Sequence, residues 1–443
     1  MLAAALGVGG AERLKAVGCP RPLPLFAEVP QRPGWVPTAG PRQCMPDHPK
    51  RYEGPLQRTN LAMTHTAKSR SLVISGLNGN EIFLLKQLGY RPGQFLVGNS
   101  VQSLGVLRSM GAGLRNVAGG ESRAITELIE AGRNAALQRM KQEALQVGAA
   151  GVTGVTAALG PFQGNTEFLA TGSAIMHAEN TPLFTSSFDA AQLYCAVDAG
   201  YQPRHFAIGN VAYSMGFGGG LTGGMRTLVR GEIPEYSGIL NATRRLALER
   251  LTQDAHARGA NVVLGVETDL THFGTFHEMV MTGTSAYHPA LAEGPGFSVA
   301  SCDLTTDEVW SMAQAGYAPQ RVVMGTAVYS LGFVGGLKAA FKGMARGEIS
   351  DLTTLVYDAR EHAIDLLERE ARDVGADFVA GTDVYATELS AGLVEFMAIG
   401  TAMKTRNGIA PRSATLPAQA VAVHRRTFRH SRDAMLSGSA EDV

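Results

Sequence analysis

Between Glu267 and Glu278 the chain reads ETDLTHFGTFHE, its densest run of side chains able to ligate a metal ion. Glu267, Asp269 and Glu278 offer carboxylate oxygens, which suit a hard divalent cation, while His272 and His277 offer imidazole nitrogens for softer metals. The two histidines can share an ion only if the chain folds back between them. Glu278 also has counterparts. Glu167, Glu278 and Glu395 each stand five residues before a glycine (Gly172, Gly283 and Gly400). Three strand-borne carboxylates could therefore form a ring of oxygen ligands after assembly, with Asp383 adding a further carboxylate near the third. The competing reading is an exposed, solvated hairpin. Neither histidine nor cysteine recurs among these positions, which weighs against a soft-metal site.

A second recurring set is basic. Arg133, Arg244 and Arg360 are each followed ten residues later by an acid, Glu143, Asp254 and Glu370. Ten residues of helix rise about 15 Å, so these charges cannot pair along one helix. Pairing between neighbouring repeats or subunits fits arginine better than a bare solvated face does. An enzyme site between repeats, using Arg244 or Arg360 with the hairpin acids, is the alternative chemistry. Nucleophilic catalysis has no foothold, since no Ser, Cys or Lys stands in a recognisable elbow. The GFGGGLTGG segment from Gly216 contains one GxGxxG, but only one copy carries it. No dinucleotide cofactor is expected from a motif so weak alone.

These residues recur because the chain is a tandem triplication. GYRPGQFLVG begins at Gly89, GYQPRHFAIG at Gly200 and GYAPQRVVMG at Gly316, giving offsets of 111 and 116 residues. The same offsets relate Gly98, Gly209 and Gly325, then Gly148, Gly259 and Gly375, then Gly154, Gly265 and Gly381. The copies span 69–180, 181–294 and 295–406, after a Pro-rich segment 1–68 read as disordered or extended and before a polar tail 407–443.

Within copy three, FSVAS (297–301) alternates as a strand, and TTDEVWSMAQAGY forms a short helix capped at Thr305 or Thr306 and stopped at Gly316. A strand from Pro319 and a Gly-rich segment with a short helix follow. The long helix is capped at Ser350 and ends at Gly375. Its apolar residues, from Leu352 to Ala371, recur every three or four positions. Two closing strands form an antiparallel hairpin. Each copy is thus an α+β unit, one long helix on a small, largely antiparallel sheet. Glu121, Glu232 and Glu348, just before that helix, are expected to supply charge and capping at its N-terminus.

The stretch GEISDLTTLVYDAREHAIDLLEREARDVGADFVAGTDV resembles the YbjQ-like, putative heavy-metal-binding family, through Ala359-Arg360 and Gly375-Ala376-Asp377. GLRNVAGG from Gly113 matches the segment before the helix. Copy two departs from the pattern at Asn261 and copy one at Ala150. The resemblance implies small units that assemble into pentameric rings, sometimes stacked, without demonstrated catalysis. Five chains, each giving one copy to each of three five-fold layers, would satisfy that symmetry.

Lys plus Arg number 39 and so do Asp plus Glu, a balance that argues against a general nucleic-acid binder. No apolar run reaches the length of a bilayer span, and the four cysteines are far apart, which fits a reducing, cytoplasmic setting. The expected protein is non-enzymatic and ring-forming, binding divalent metal ions on its assembled surface. A peripheral membrane or scaffold module is the remaining alternative.

Overall fold

The repeated GY pair closes a short helix in every copy of the computed structural model, which describes residues 72–103, 120–179, 181–214, 231–273, 276–291, 298–331, 350–390, 392–421 and 428–430. Copy one runs α1 (Gly79–Gln87), β1 (Arg91–Gln102), β2 (Gly120–Glu121), α2 (Arg123–Gln146), β3 (Gly151–Phe162) and β4 (Asn165–Met176). Copy two runs β5 (Phe184–Thr185), α3 (Ala190–Asp198), β6 (Gln202–Ser214), β7 (Gly231–Glu232), α4 (Pro234–His256), β8 (Val262–Phe273) and β9 (Phe276–Tyr287). Copy three runs β10 (Ala300–Ser301), α5 (Thr306–Gln314), β11 (Tyr317–Ser330), α6 (Ser350–Asp373), β12 (Phe378–Ser390) and β13 (Leu393–Thr405).

Local chemistry explains the ends of these elements. Capping boxes open the short helices at Asn78 with Glu81 and Asp189 with Gln192, each satisfying two main-chain N–H groups, and at Thr305 the Glu308 carboxylate accepts from both the main-chain N–H and the hydroxyl. Pro234 occupies the first turn of α4, where its missing N–H costs nothing. Ser350 is already helical, so α6 starts one residue earlier than a cap there requires. Gly154, Gly265 and Gly381 adopt φ of +65°, +60° and +63° where the hairpin register slips, a backbone that a bulge needs and other residues resist.

Three sheets result, and each borrows from its neighbours. The first has the order β1-β4-β3-β5, the second β10-β8-β9-β6-β2, the third β12-β13-β11-β7. Pairing within a copy is antiparallel, as the sequence leads one to expect. β5 and β10 pair in parallel with the preceding copy, while β2 and β7 pair with the following one. The helices are shared as well. Helix α2 packs on sheet one and on β6, and α4 on sheet two and on β11. One core therefore combines Leu240, Leu248 and Leu251 of α4 with Val322, Met324, Val328, Met397 and Ile399 of copy three.

Successive copies thus meet side by side through one repeated contact. This geometry does not support the expected five-fold layers with one copy in each, because the contact joins copies within the same chain. The C-terminal segment also departs from a polar tail. The Arg412 N–H donates to the Asp198 carbonyl (2.9 Å), Ser413 Oγ donates to Asp198 Oδ1 (2.7 Å), and Ala420 is fully buried. Strand β14 (Phe428–His430) then pairs with Thr268–Leu270 at the edge of β8. Apolar residues such as Ile409 and Ala420, scattered among prolines, anchor what the overall polarity disguised. The expected strand at 297–301 shrinks to Ala300–Ser301. Residues 1–68, GFGGGLTGG, Glu348 and the expected short helix in the Gly-rich segment of copy three lie outside the described residues.

The tightest constraint is where each long helix crosses its own first strand. A Cβ on Gly209 would stand 2.1 Å from the Ala247 carbonyl oxygen and 2.4 Å from the Leu251 nitrogen. Gly98 and Gly325 meet Ala136 and Ala363 in the same way, at 2.1 and 2.0 Å. Gly209→Ala must push helix from sheet and should cost roughly 1–3 kcal/mol or more. A urea midpoint unchanged from the parent chain would show that this contact yields easily.

Candidate functional site

The functional candidates gather at the two junctions between copies. At the first, Arg133 of α2 reaches across to Glu278 of β9, with Nη2 donating to Oε2 at 2.9 Å and Nη1 donating to Oε1. Asn210 Nδ2 donates to the same Oε1 (3.2 Å). At the second, Arg244 Nη2 lies 2.5 Å from Glu395 Oε1, and Nη1 donates to the Thr326 hydroxyl. All four charged side chains are buried. In this low-dielectric setting a guanidinium and a carboxylate are tolerable only because each answers the other.

Further polar contacts flank both pairs. The Ala212 N–H donates to Thr126 Oγ1, and the Val328 N–H donates to Ser237 Oγ, both at 2.9 Å. Asn241 meets both main-chain groups of Thr326, donating to its carbonyl (2.7 Å) and accepting from its N–H (3.1 Å). Arg245 pairs with Glu370 (2.7 Å), and Arg250 pairs with Glu121 (2.6 Å). The arginines do bridge repeats, then, but Arg133 and Arg244 take hairpin glutamates as partners, not the acids ten residues on. Glu143 and Glu370 instead accept the Val97 and Met324 N–H groups of their own sheets. Glu121 and Glu232 likewise do more than charge a helix end. Glu121 holds Arg250 of the next copy, and Glu232 accepts from the Ser237 hydroxyl (3.0 Å).

The expected metal ligands are thereby distributed. Glu278 and Glu395 are engaged by separate guanidinium groups, and Glu167 accepts from Asn99 Nδ2 (3.3 Å). His272 and His277 do oppose one another across the β8–β9 hairpin, as fold-back required, and the His277 ring stacks on Tyr213. Glu267 and Asp269 are half-buried along β8, and Asp383 accepts from the Tyr385 hydroxyl (3.2 Å). Among the described residues no three His, Cys, Asp or Glu side chains gather as a ligand set within the chain.

Three further sets of side chains have surroundings that the sequence alone did not reveal. Ser285 Oγ lies 2.5 Å from His205 Nδ1, and His205 Nε2 lies 2.9 Å from Asp254 Oδ2. This looks like a hydrolase relay, but Ser285 is wholly buried and cannot meet a substrate. Burial holds the His205 imidazole below its usual range, so Nε2–H donates to Asp254 and Nδ1 accepts from the serine. The set is a structural brace. Nothing local marks it, because the three residues come from three different elements. The thiols of Cys195 and Cys302 are likewise buried and pushed up, which leaves them unreactive. Asp303, buried beside the Thr401 hydroxyl, is pushed up to about 7, chiefly by desolvation.

Three stretches of the chain, 91–178, 202–288 and 305–406, match the YbjQ family, described as "Putative heavy-metal-binding". A UPF0145 protein from Methanoregula boonei is 38% identical over 112 residues, which is 90% of its length and 24% of this chain. A UPF0145 protein from Acinetobacter baylyi is 38% identical over 93 residues, 86% of its length and 21% of this chain. An encapsulin nanocompartment protein from Mycobacterium tuberculosis is 28% identical over 244 residues, 88% of its length and 52% of this chain.

Two expectations follow from the buried charges. Arg244→Met strands Glu395 in the core and should cost about 3–5 kcal/mol, whereas adding Glu395→Leu should recover most of that loss. Urea denaturation of both variants measures this, and an equal loss in each would deny the pairing. Asp303 has a folded pKa above its unfolded one, so its stabilising effect is complete below pH 4 and fades as pH rises to about 7. Asp303→Asn should therefore gain on the parent chain between pH 5 and pH 8, by at most about 4 kcal/mol. A gap in melting temperature that stays constant over that range would contradict the assignment.

Proposed function

The chain belongs to the YbjQ family, with three copies of its unit in tandem, and on that premise we propose a non-enzymatic protein whose chains assemble head to tail. One observation carries this reading: the junction contact is used twice inside the chain, and each half of it is left over once. At the trailing end, Arg360 is the counterpart of Arg133 and Arg244, yet it is exposed. Tyr357, at the position of Asn241, is 61% exposed, and Thr353 and Glu361 are exposed beside it. At the leading end, Val97 and Val101 are 47% and 46% exposed, where Ala212, Met324 and Val328 are buried under a preceding helix. Glu167 waits there in the place of Glu278 and Glu395.

The two faces are complementary in charge and in apolar content, and they continue an interface already present twice. A heterologous contact of this kind propagates until it closes, and closure gives a ring. The relative named as a nanocompartment protein supports an assembling role. Metal uptake draws no support from the donor arrangement. No helix among the described residues is long and apolar enough to cross a membrane.

Native mass spectrometry and sedimentation velocity test the assembly. The parent chain should form a discrete oligomer at micromolar concentration. Arg360→Glu or Glu167→Arg alone should shift it towards monomer, and the two together should restore it. A monomeric parent chain, or single variants that assemble undisturbed, would overturn the reading.

A further inference from the structure

The two junctions are built from equivalent elements, and at the first a cleft of about 350 Å³ opens between α2 and α4. That volume is in the range that holds small ligands. The residues at this place differ between copies. At the second junction Arg245 spans the space to Glu370, whereas the equivalent positions at the first are Asn134 and Asp254, both shorter. Leu137, Phe206 and Ile208 supply apolar lining among mostly polar neighbours.

Charge in the cleft is uneven. Arg133 is answered by Glu278, and Arg250 by Glu121. At the far end Asp254 is engaged by Arg258 and by His205, and Lys141 lies near enough to feel the charges of Arg258 and Asp254. Lys141 is half-buried and makes no hydrogen bond or ion pair among the described residues. Glu130 also lines the cleft, but it stands eleven residues back along α2, roughly 16 Å away, and cannot neutralise the lysine. The second junction has Thr252 and Val374 in place of Lys141 and Arg258, so no comparable excess arises there.

We infer that this cleft binds a small amphipathic anion, its carboxylate or phosphate head between Lys141 and Arg258 and its apolar body on Leu137, Phe206 and Ile208. The electrostatic state of the lysine agrees with this. Burial, and then the Arg258 charge, hold its ammonium below the usual lysine range against the opposing pull of Asp254, and an anion beside it would favour the charged form. The inference does not depend on how chains assemble, because both walls belong to one chain.

Isothermal titration calorimetry on the full chain, with octanoate and separately with orthophosphate, provides the test. Octanoate should saturate at one per chain, and Lys141→Met should weaken it about tenfold or more, while Lys141→Arg retains it. Asn134→Arg, which copies the residue of the second junction, should abolish binding without lowering the melting temperature. Saturation by orthophosphate with the same dependence on Lys141 would also support the site and make the apolar body dispensable. Failure of both probes to saturate, or binding indifferent to Lys141 and Asn134, would overturn it.

Discussion

A guanidinium buried against a carboxylate of the next repeat is the interaction on which the rest of the molecule depends. A charge pair of this kind contributes little net stability, since the cost of drying both groups offsets most of their attraction. What it contributes is position. An arginine in the middle of a helix can meet a strand-borne glutamate of the next unit at only one sliding register and one tilt. The serine and threonine hydroxyls that accept strand N–H groups work only at that register too. Apolar packing alone tolerates slippage, whereas a stranded buried charge does not.

Much of this architecture was legible in the sequence. The offsets between GY pairs revealed the triplication, and capping residues with left-handed glycines placed the helix ends within a residue or so. The closing hairpin followed from two β-rich runs with a short connection. The partner of each arginine was not legible in the same way. Arg133 and Glu278 are 145 residues apart in sequence, and no local period links a helix of one unit to a strand of the next. The same glutamates stood out as repeated acids, and a repeated acid reads as a metal ligand when its cation is out of sight. The buried anchors of the C-terminal segment were hidden for a related reason, since single apolar residues among prolines have no period.

Copies that share a fold have not kept the same surfaces. Asn134 and Arg245 occupy equivalent places, yet Asn134 lines a cleft whereas Arg245 reaches across to Glu370. Thr126, Ser237 and Thr353 keep a hydroxyl at one position, but only the first two have a strand above them to satisfy. Repetition therefore specifies a common frame, and the individual junctions can differ in what they admit.

The glycine beneath each long helix gives that frame an unusual property. Where a strand meets a helix through side chains, their bulk sets the separation, and every substitution resets it. Here main chain rests on main chain at Gly98, Gly209 and Gly325, a distance that amino-acid identity elsewhere cannot alter. The spacing acts as a fixed gauge. A lineage could redecorate every exposed position of such a protein and still produce parts that fit the parts made before.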